Sequence, residues 1–243
     1  MKILFFILLN FIGIVSNGNP ENGNELQINF RHFVGSDSLI FKTKEYVNEL
    51  GQKYTVTKFK YYISNIQLIN DSGKVFSSEE YFLINEDEPQ SKGFSVKDVP
   101  PGNYKTLSFI IGVDSLRNCS GLQEGALDPV KGMFWAWNTG YIFLKLEGTS
   151  ESSTAQGGIF EYHIGGFKEP VNAIRKISLE MDSLIFSDEV PDSKKIFIKA
   201  DISQILKQPV SIDFSTMPVV SDMTNAELVA NNYSDMFSLI KEK

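Results

Sequence analysis

The sequence predicts an all-β protein, an antiparallel β-sandwich or a barrel-like fold, with one α-helix at the C-terminus. Several runs alternate apolar and polar residues with period two, which is typical of strands with one buried face. Clusters of Gly, Pro, Asn and Asp separate these runs, and no amphipathic helical pattern lies between them. Strands joined by polar turns without intervening helices favour sandwiches and barrels.

Composition bounds the kind of protein. The 243 residues, of which 42% are hydrophobic and 22% charged, suffice for one domain with a substantial buried core. Lys and Arg total 23 against 30 Asp and Glu, so the formal charge is −7. This excess of acid argues against a nucleic-acid partner, because such a partner needs a basic face to displace its counterions. The single cysteine excludes an intrachain disulfide and a thiolate zinc site.

The N-terminus has the pattern of an export signal. Lys2 precedes an apolar run over residues 3–15, and small residues follow near Ser16. The run is shorter than the roughly 20 apolar residues of a membrane-spanning helix, so no stable membrane insertion is expected. We predict a signal peptide over residues 1–18, a flexible leader over 19–25 and a single β domain over 26–243. The mature protein is expected to be periplasmic or secreted.

The predicted strands share period-two alternation or a high content of β-branched and aromatic residues, which suit a pleated surface. They cover residues 26–34, 54–68, 107–113, 133–147, 159–164, 177–181 and 196–200. One helix is predicted at the C-terminus, where Thr224 and Glu227 form a capping box. Six apolar residues then share one helical face, which is expected to pack on the sheet: Leu228, Val229, Tyr233, Met236, Phe237 and Ile240.

Both tryptophans lie in one unusual segment, two residues apart at Trp135 and Trp137. If residues 133–141 form a regular strand, both indoles share a face with Met133 and Tyr141. Two same-face tryptophans suit either a core strand or a specialised site, and this segment alone does not decide between them.

The two histidines, His32 and His163, each lie in a predicted strand. Alternation puts His163 on one face with Ile159 and Glu161. A histidine in a strand is often a hydrogen-bonded structural residue, but neutral imidazole is also the commonest metal ligand and suits copper. Ligands from two distant strands could meet across a sandwich, although their spacing does not show it. No nucleotide-binding or nucleophile-elbow motif is present, so a hydrolase is the least supported function.

Several blocks resemble the MbnP family of exported copper-binding proteins, which are related to the methanobactin-operon partner protein and to a copper-repressible surface protein of methanotrophs. They are GALDP at residues 125–129, GMFWAWNTGY at 132–141 and FEYHIGG at 160–166, with YYISNIQL at 61–68 and FRH at 30–32. The resemblance covers nearly the whole mature chain.

This resemblance implies a β-rich domain that holds one copper ion and is not itself an enzyme. The matching ligand positions are His32, His163 and either Trp135 or Trp137. It also implies a partner, a dihaem cytochrome c peroxidase-like enzyme (MbnH type) that oxidises the tryptophan to kynurenine. Opening the indole ring creates an aromatic amine, which donates to a metal better than indole does.

Two functions from different classes follow. The first is copper sequestration or handover through these histidines and tryptophans. The alternative is an extracytoplasmic β-sandwich interaction or carbohydrate-binding module, in which Trp135, Trp137 and Tyr141 stack on sugar rings.

Overall fold

Strands dominate the structure, as the sequence predicts. The computed structural model describes residues 23–135, 140–169, 171–221 and 223–241. Its helical elements are α1 (Ser115–Cys119), α2 (Met223–Tyr233) and single 3-10 turns at Pro89–Lys92, Gly125–Leu127, Pro129–Lys131, Gln156–Gly158 and Ile202–Leu206. Its strands, in chain order, are β1 (Asn24–Val34), β2 (Asp37–Ser38), β3 (Tyr46–Val47), β4 (Lys53–Asn70), β5 (Val75–Asn85), β6 (Gly93–Val99), β7 (Gly102–Ile111), β8 (Phe134–Trp135), β9 (Gly140–Tyr141), β10 (Leu144–Thr149), β11 (Ile159–Ile164), β12 (Phe167–Lys168), β13 (Val171–Asn172), β14 (Arg175–Phe186), β15 (Ser193–Asp201), β16 (Val219–Val220) and β17 (Phe237–Leu239).

Two large sheets pack face to face, which confirms the predicted all-β sandwich. The five-stranded sheet runs β17-β15-β1-β2, with β6 also paired to β1. The eight-stranded sheet runs β14-β7-β4-β10-β11-β16, with β3 and β5 also paired to β4. Most pairs are antiparallel, but β1 pairs with β15 and β11 with β16 in parallel. These two pairs are exceptions to the predicted antiparallel arrangement, because the chain between their strands crosses the molecule instead of turning back as a hairpin.

An aromatic core joins the two inner faces. Phe30 on β1 points inward, and its ring centroid lies 5.9 Å from that of Tyr61, 6.1 Å from Phe109 and 5.8 Å from Phe237. All three contacts are edge-to-face, the arrangement that the quadrupoles of aromatic rings favour. The inward residues of β4, β7 and β10 complete this core, while charged residues alternate onto the outer faces.

The C-terminal helix is shorter than predicted. Helix α2 ends at Tyr233, and Phe237 begins β17, where it pairs with Ala200 of β15. The amide of Met236 donates to the carbonyl of Tyr233 at 3.2 Å, which closes a turn and redirects the chain. The predicted helical stripe is therefore wrong beyond Tyr233, because Phe237 fills the aromatic core as a strand residue. The side chain of Thr224, the predicted cap, lies outside the described residues.

The predicted boundaries also need correction at two places. Strand β1 begins at Asn24, inside the predicted leader, whereas the predicted signal peptide lies outside the described residues. The single strand predicted over 133–147 is broken, since β8 pairs with β9 as Phe134 with Tyr141 and Trp135 with Gly140. Trp135 and Tyr141 thus belong to two antiparallel strands and not to one face of a regular strand. Within the described ranges, no helix has the length and apolar character needed to cross a membrane.

Gly148 in β10 is a position that no other residue should occupy. A Cβ built there would lie 1.9 Å from the carbonyl oxygen of Thr55 and 2.4 Å from Cζ of Phe160. Overpacking of a central strand costs about 1–3 kcal/mol or more, so we expect Gly148→Ala to lower the free energy of unfolding by at least about 2 kcal/mol. Urea unfolding measures this value. Ser178→Ala, at an exposed position of β14, is the control and should change stability by less than about 0.5 kcal/mol; an equally small loss for Gly148→Ala would contradict the packing.

Candidate metal centre

His163 lies on the outer face of the eight-stranded sheet. It is in β11, where it pairs with Lys145 of β10, and Phe160, Tyr162 and Ile164 between the outward residues are buried, as alternation predicts. Its Nε2 lies 2.8 Å from Oε1 of Glu147, whose Oε2 lies 3.0 Å from Nζ of Lys58. The imidazole side chain is 20% exposed. A histidine, a carboxylate and an ammonium therefore form a row across three neighbouring strands.

The charge on Glu147 determines which nitrogen of the His163 ring faces it as a donor. The hydrogen bond from His163 lowers the pKa of Glu147 to about 2, with a further contribution from Lys58 against the opposing effect of burial. An ionised carboxylate only accepts hydrogen bonds, so Nε2 of His163 carries the proton that it donates. In the neutral ring, Nδ1 then holds the lone pair, and it has no hydrogen-bond partner among the described residues. A carboxylate on one ring nitrogen and a lone pair on the other is the usual arrangement of a metal-binding histidine.

Trp135 lies beside this row on the same face. A Cβ built on Gly165, two residues after His163, would lie 2.7 Å from Cζ3 of Trp135, so the indole packs directly on the glycine backbone. Nζ of Lys145, the strand partner of His163, donates to the carbonyl of Gly132 at 2.7 Å. Trp135 itself is 6% exposed. Trp137 lies outside the described residues.

Hydrogen bonds from Asn118, Tyr141 and Tyr62 hold the segment that carries Trp135 against the sheet. Nδ2 of Asn118 donates to the carbonyl of Val113, and its Oδ1 accepts from the amide of Tyr141 at 3.0 Å. The hydroxyl of Tyr141 donates to the carbonyl of Leu127 at 2.9 Å, and that of Tyr62 to the carbonyl of Ala126 at 3.1 Å. These buried hydrogen bonds satisfy the backbone of a segment that has little regular structure of its own.

His32 has a different environment. It is in β1, between the sheets, with its ring centroid 4.8 Å from that of Phe59 and only 1% of its side chain exposed. Nδ1 lies 2.5 Å from Oε2 of Glu86, and Nε2 lies 3.0 Å from the hydroxyl of Tyr61. Burial raises the pKa of Tyr61 well above its usual value, so this hydroxyl stays protonated and donates to Nε2. Both ring nitrogens of His32 are therefore engaged inside the protein.

The two histidines lie on opposite faces of one sheet. Tyr61, which binds His32, pairs with Leu144, and Leu144 pairs with Ile164 on the inner face. His163 directly precedes Ile164 in β11 and so points the other way. The structure does not bring His32 and His163 together, and they do not fit as joint ligands of one ion. It does place the Trp135 ring on the backbone of Gly165, two residues after His163.

The described residues offer one candidate metal donor at this place. An imidazole nitrogen and carboxylate oxygens are donors that suit Cu(II). Within the part of the chain that the structure describes, no group of three or more His, Cys, Asp or Glu residues could hold a metal. Nδ1 of His163, in a ring oriented by Glu147, is thus a single candidate donor.

Sequence reasoning missed Glu147, Glu86 and Tyr61. Glu147 reaches His163 diagonally, because its direct partner in β11 is Glu161. The alternation of Leu144, Leu146 and the residues between them puts Glu147 on an outer face, but the register with β11 depends on the connection over residues 150–158. Glu86 lies 54 positions from His32, and no local pattern connects them.

A family model and a solved structure both relate this chain to the same protein family. The family model MbnP matches residues 23–224. The solved structure of MbnP from Methylosinus trichosporium is similar to this chain, with a TM-score of 0.51 and 13% sequence identity, over 83% of this chain and 81% of that chain. At this identity, the structural likeness concerns the fold alone. No curated protein matches the sequence.

The interior position of His32 makes stability depend on pH. Burial holds the pKa of His32 below its usual value, against the opposing effect of Glu86. The unfolded chain takes up this proton below about pH 6.5, so the stabilising contribution is full above that pH and is lost as the pH falls toward the folded pKa. We expect the free energy of unfolding to fall between pH 7.5 and about 5.5, above the range in which the carboxylates titrate. Urea unfolding at both values measures this change.

The matched variant is His32→Gln, which removes the titrating ring and retains a polar side chain. The groups common to both proteins cancel in the comparison, so the variant should show a smaller loss of stability over the same pH interval. Equal losses in the two proteins would contradict the assignment of His32 as a buried neutral residue.

Proposed function

Because the chain belongs to the MbnP family, we propose that it is an exported copper-binding protein, not itself an enzyme, that sequesters copper or hands it over. The observation that carries the proposal is the pairing of His163 with Glu147 next to Trp135. The carboxylate holds the ring in the tautomer whose Nδ1 can donate to a metal. Family membership supports copper as the metal, and the outer face of the eight-stranded sheet is where we propose that it binds.

In this proposal the residues have separate roles. His163 is the first ligand, Glu147 orients it, and Trp135 or Trp137 provides the second ligand position. His32 would have to give up its bonds to Glu86 and Tyr61 and cross the sheet to join them, so we assign it to the interior. Lys145, already bound to the carbonyl of Gly132, holds the Trp135 segment beside the ligand.

The tryptophan is the proposed site of modification. A dihaem cytochrome c peroxidase-like partner (MbnH type) would convert it to kynurenine, whose aromatic amine is a better donor than indole. Trp135 supports this role because its ring packs on Gly165, close to His163. Export through a signal peptide over residues 1–18, to the periplasm or the exterior, would bring the chain to the compartment of such a partner.

Two of the three aromatic residues that the carbohydrate-binding alternative requires are buried. Trp135 is 6% exposed and Tyr141 is 1% exposed, so neither ring offers a free face to a sugar. Tyr141 instead makes an edge-to-face contact with Tyr62, with ring centroids 5.9 Å apart. We therefore do not propose a sugar-binding role for this segment.

Copper titration of variants tests the proposed ligand. We expect His163→Ala to weaken Cu(II) binding by at least about tenfold, and Glu147→Gln to weaken it by about 10–100-fold, since loss of an orienting carboxylate has that effect. His32→Gln is the matched control on the inner face and should retain the wild-type affinity. Competition with a chromogenic chelator gives the affinities, and circular dichroism verifies that each variant is folded.

Two outcomes would overturn this assignment. Unchanged copper affinity in His163→Ala would end the proposal for this face. Equal losses in His163→Ala and His32→Gln, with both variants folded, would instead support a joint site and contradict the separation of the two rings by the sheet.

Mass spectrometry of the protein purified from its native host tests modification and export together. We expect a mature N-terminus near residue 19 and a tryptic peptide in which Trp135 or Trp137 carries the mass of kynurenine. Protein expressed without the partner enzyme should retain ordinary tryptophan and serves as the control. An intact N-terminus or an unmodified peptide from the native host would contradict the corresponding step.

A further inference from the structure

A groove of about 400 Å³ lies on the outer face of the eight-stranded sheet, between α1 and the strands β4, β5, β7 and β14. Its floor is formed by Asn65 and Gln67 of β4 with Ile110 of β7. One wall is α1, through Leu116, and the other is β5, through Ser77. The volume lies within the usual range of small-molecule sites, about 300–1,000 Å³.

The sheet is irregular where this groove forms. The pairing of β4 with β5 shifts register between Ser64 and Ile66, and the pairing of β4 with β7 shifts between Ser64 and Gln67. Asn65 lies at this break on both sides of the strand and has a φ of 50°, in the left-handed region that residues other than glycine seldom adopt. Bulges redirect side chains and are frequent next to functional sites. Here the irregularity leaves the side chain of Asn65 in the lining of the groove.

The groove presents neutral polar groups that the protein leaves unused. Within the described residues, the amide of Asn65 and the hydroxyl of Ser77 make no hydrogen bond, and their polar atoms retain accessible surface. Gln67 uses only its Oε1, which accepts from Nζ of Lys176 at 3.0 Å, so its Nε2 is also available as a donor. An amide offers both donors and an acceptor, and a hydroxyl does the same. These groups therefore suit ligand hydroxyls, which also donate and accept.

The charges of the lining cancel. Arg117 and Lys176 are balanced by Glu79 and Asp114, so the lining has no formal net charge. Asp114 already accepts a hydrogen bond from the hydroxyl of Tyr81. An ion of either sign would meet a like charge in the groove, whereas a neutral ligand would not.

The groove also has apolar surface beside these polar groups. Leu116 is 74% exposed on one wall, and Ile110 is half-buried in the floor. A ligand that has C–H groups as well as hydroxyls can contact both kinds of surface at once.

We propose that this groove binds a small neutral saccharide of one or two rings. Its hydroxyls exchange hydrogen bonds with Asn65 and Gln67, and its C–H groups lie against Ile110 and Leu116. The site goes beyond the proposed copper function and is separate from it, because His163 does not line the groove.

NMR titration of the copper-free, ¹⁵N-labelled protein tests the proposal, because the side-chain NH₂ groups of Asn65 and Gln67 give signals of their own. Glucose, mannose, maltose and cellobiose are the neutral probes, and glucosamine and glucuronate are the charged comparison sugars. We expect at least one neutral sugar to shift both NH₂ signals and to bind more tightly than either charged sugar. Asn65→Gly should weaken its binding by roughly tenfold, the effect of losing the hydrogen bonds of one amide.

The variants are chosen so that folding does not confuse the result. Glycine adopts a φ of 50° without strain, so Asn65→Gly removes the amide and retains the backbone. Gln90→Ala is the matched control, since it removes an exposed amide outside the groove and should leave the affinity unchanged.

Each outcome supports or overturns the proposal. Shifts at the groove that Asn65→Gly weakens and Gln90→Ala does not support it. An absence of shifts with every neutral sugar, unchanged affinity in Asn65→Gly, tighter binding of a charged sugar, or shifts confined to the Trp135 segment would each overturn it. Because the protein is free of copper, all of these results are independent of the proposed metal site.

Discussion

Alternation along β4, β10 and β11 is the constraint on which the candidate site depends. Along β10 and β11, and over residues 58–61 of β4, every second side chain enters the aromatic interior and the others lie on the outer face. Tyr61, Leu144 and Ile164 form one buried row, and Lys60, Lys145 and His163 form the adjacent outer row. A shift of one residue in any of these strands would exchange the two rows, and the burial of so many aromatic rings prevents it. The chemistry of His163 is thus set by the packing of its neighbours.

The two histidines of this protein differ in their surroundings. Each histidine donates one ring N–H to a glutamate, which fixes the tautomer. In His32 the other nitrogen accepts a hydrogen bond from the buried hydroxyl of Tyr61, so the ring is a complete structural unit. In His163 the other nitrogen has no such partner among the described residues, and the side chain is 20% exposed. Whether the second ring nitrogen has a hydrogen-bond partner inside the protein thus distinguishes the structural histidine from the candidate ligand.

The sequence predicts the elements better than their arrangement. The boundaries of β11 match the predicted 159–164, because glycine pairs flank a short run that alternates clearly. The segment around Trp135 does not form the predicted regular strand, since β8 and β9 pair with each other and hydrogen bonds from Asn118 and Tyr141 replace a longer ladder. Whether His32 and His163 converge depends on which sheet each strand joins. Strand β1 pairs with β15, more than 150 positions away, and no local pattern contains that information.

The close packing on Gly165 is a second reason why the geometry of the site cannot be predicted from the sequence. Gly165 admits the Trp135 ring and the carbonyl of Tyr141 to a distance at which any Cβ would collide. The residue type indicates that something approaches closely, but only the tertiary structure identifies the indole. Trp135 and Gly165, which lie in separate blocks of the chain, are therefore two sides of one contact.

The location of the copper ion is the most direct test of this account. Crystals of the protein grown with one equivalent of Cu(II), and measured at wavelengths on either side of the copper absorption edge, would show the ion as an anomalous difference peak. The account predicts a single peak on the outer face, within bonding distance of Nδ1 of His163 and adjacent to the Trp135 segment. A peak between the sheets at His32, in place of the hydrogen bond to Tyr61, would contradict it.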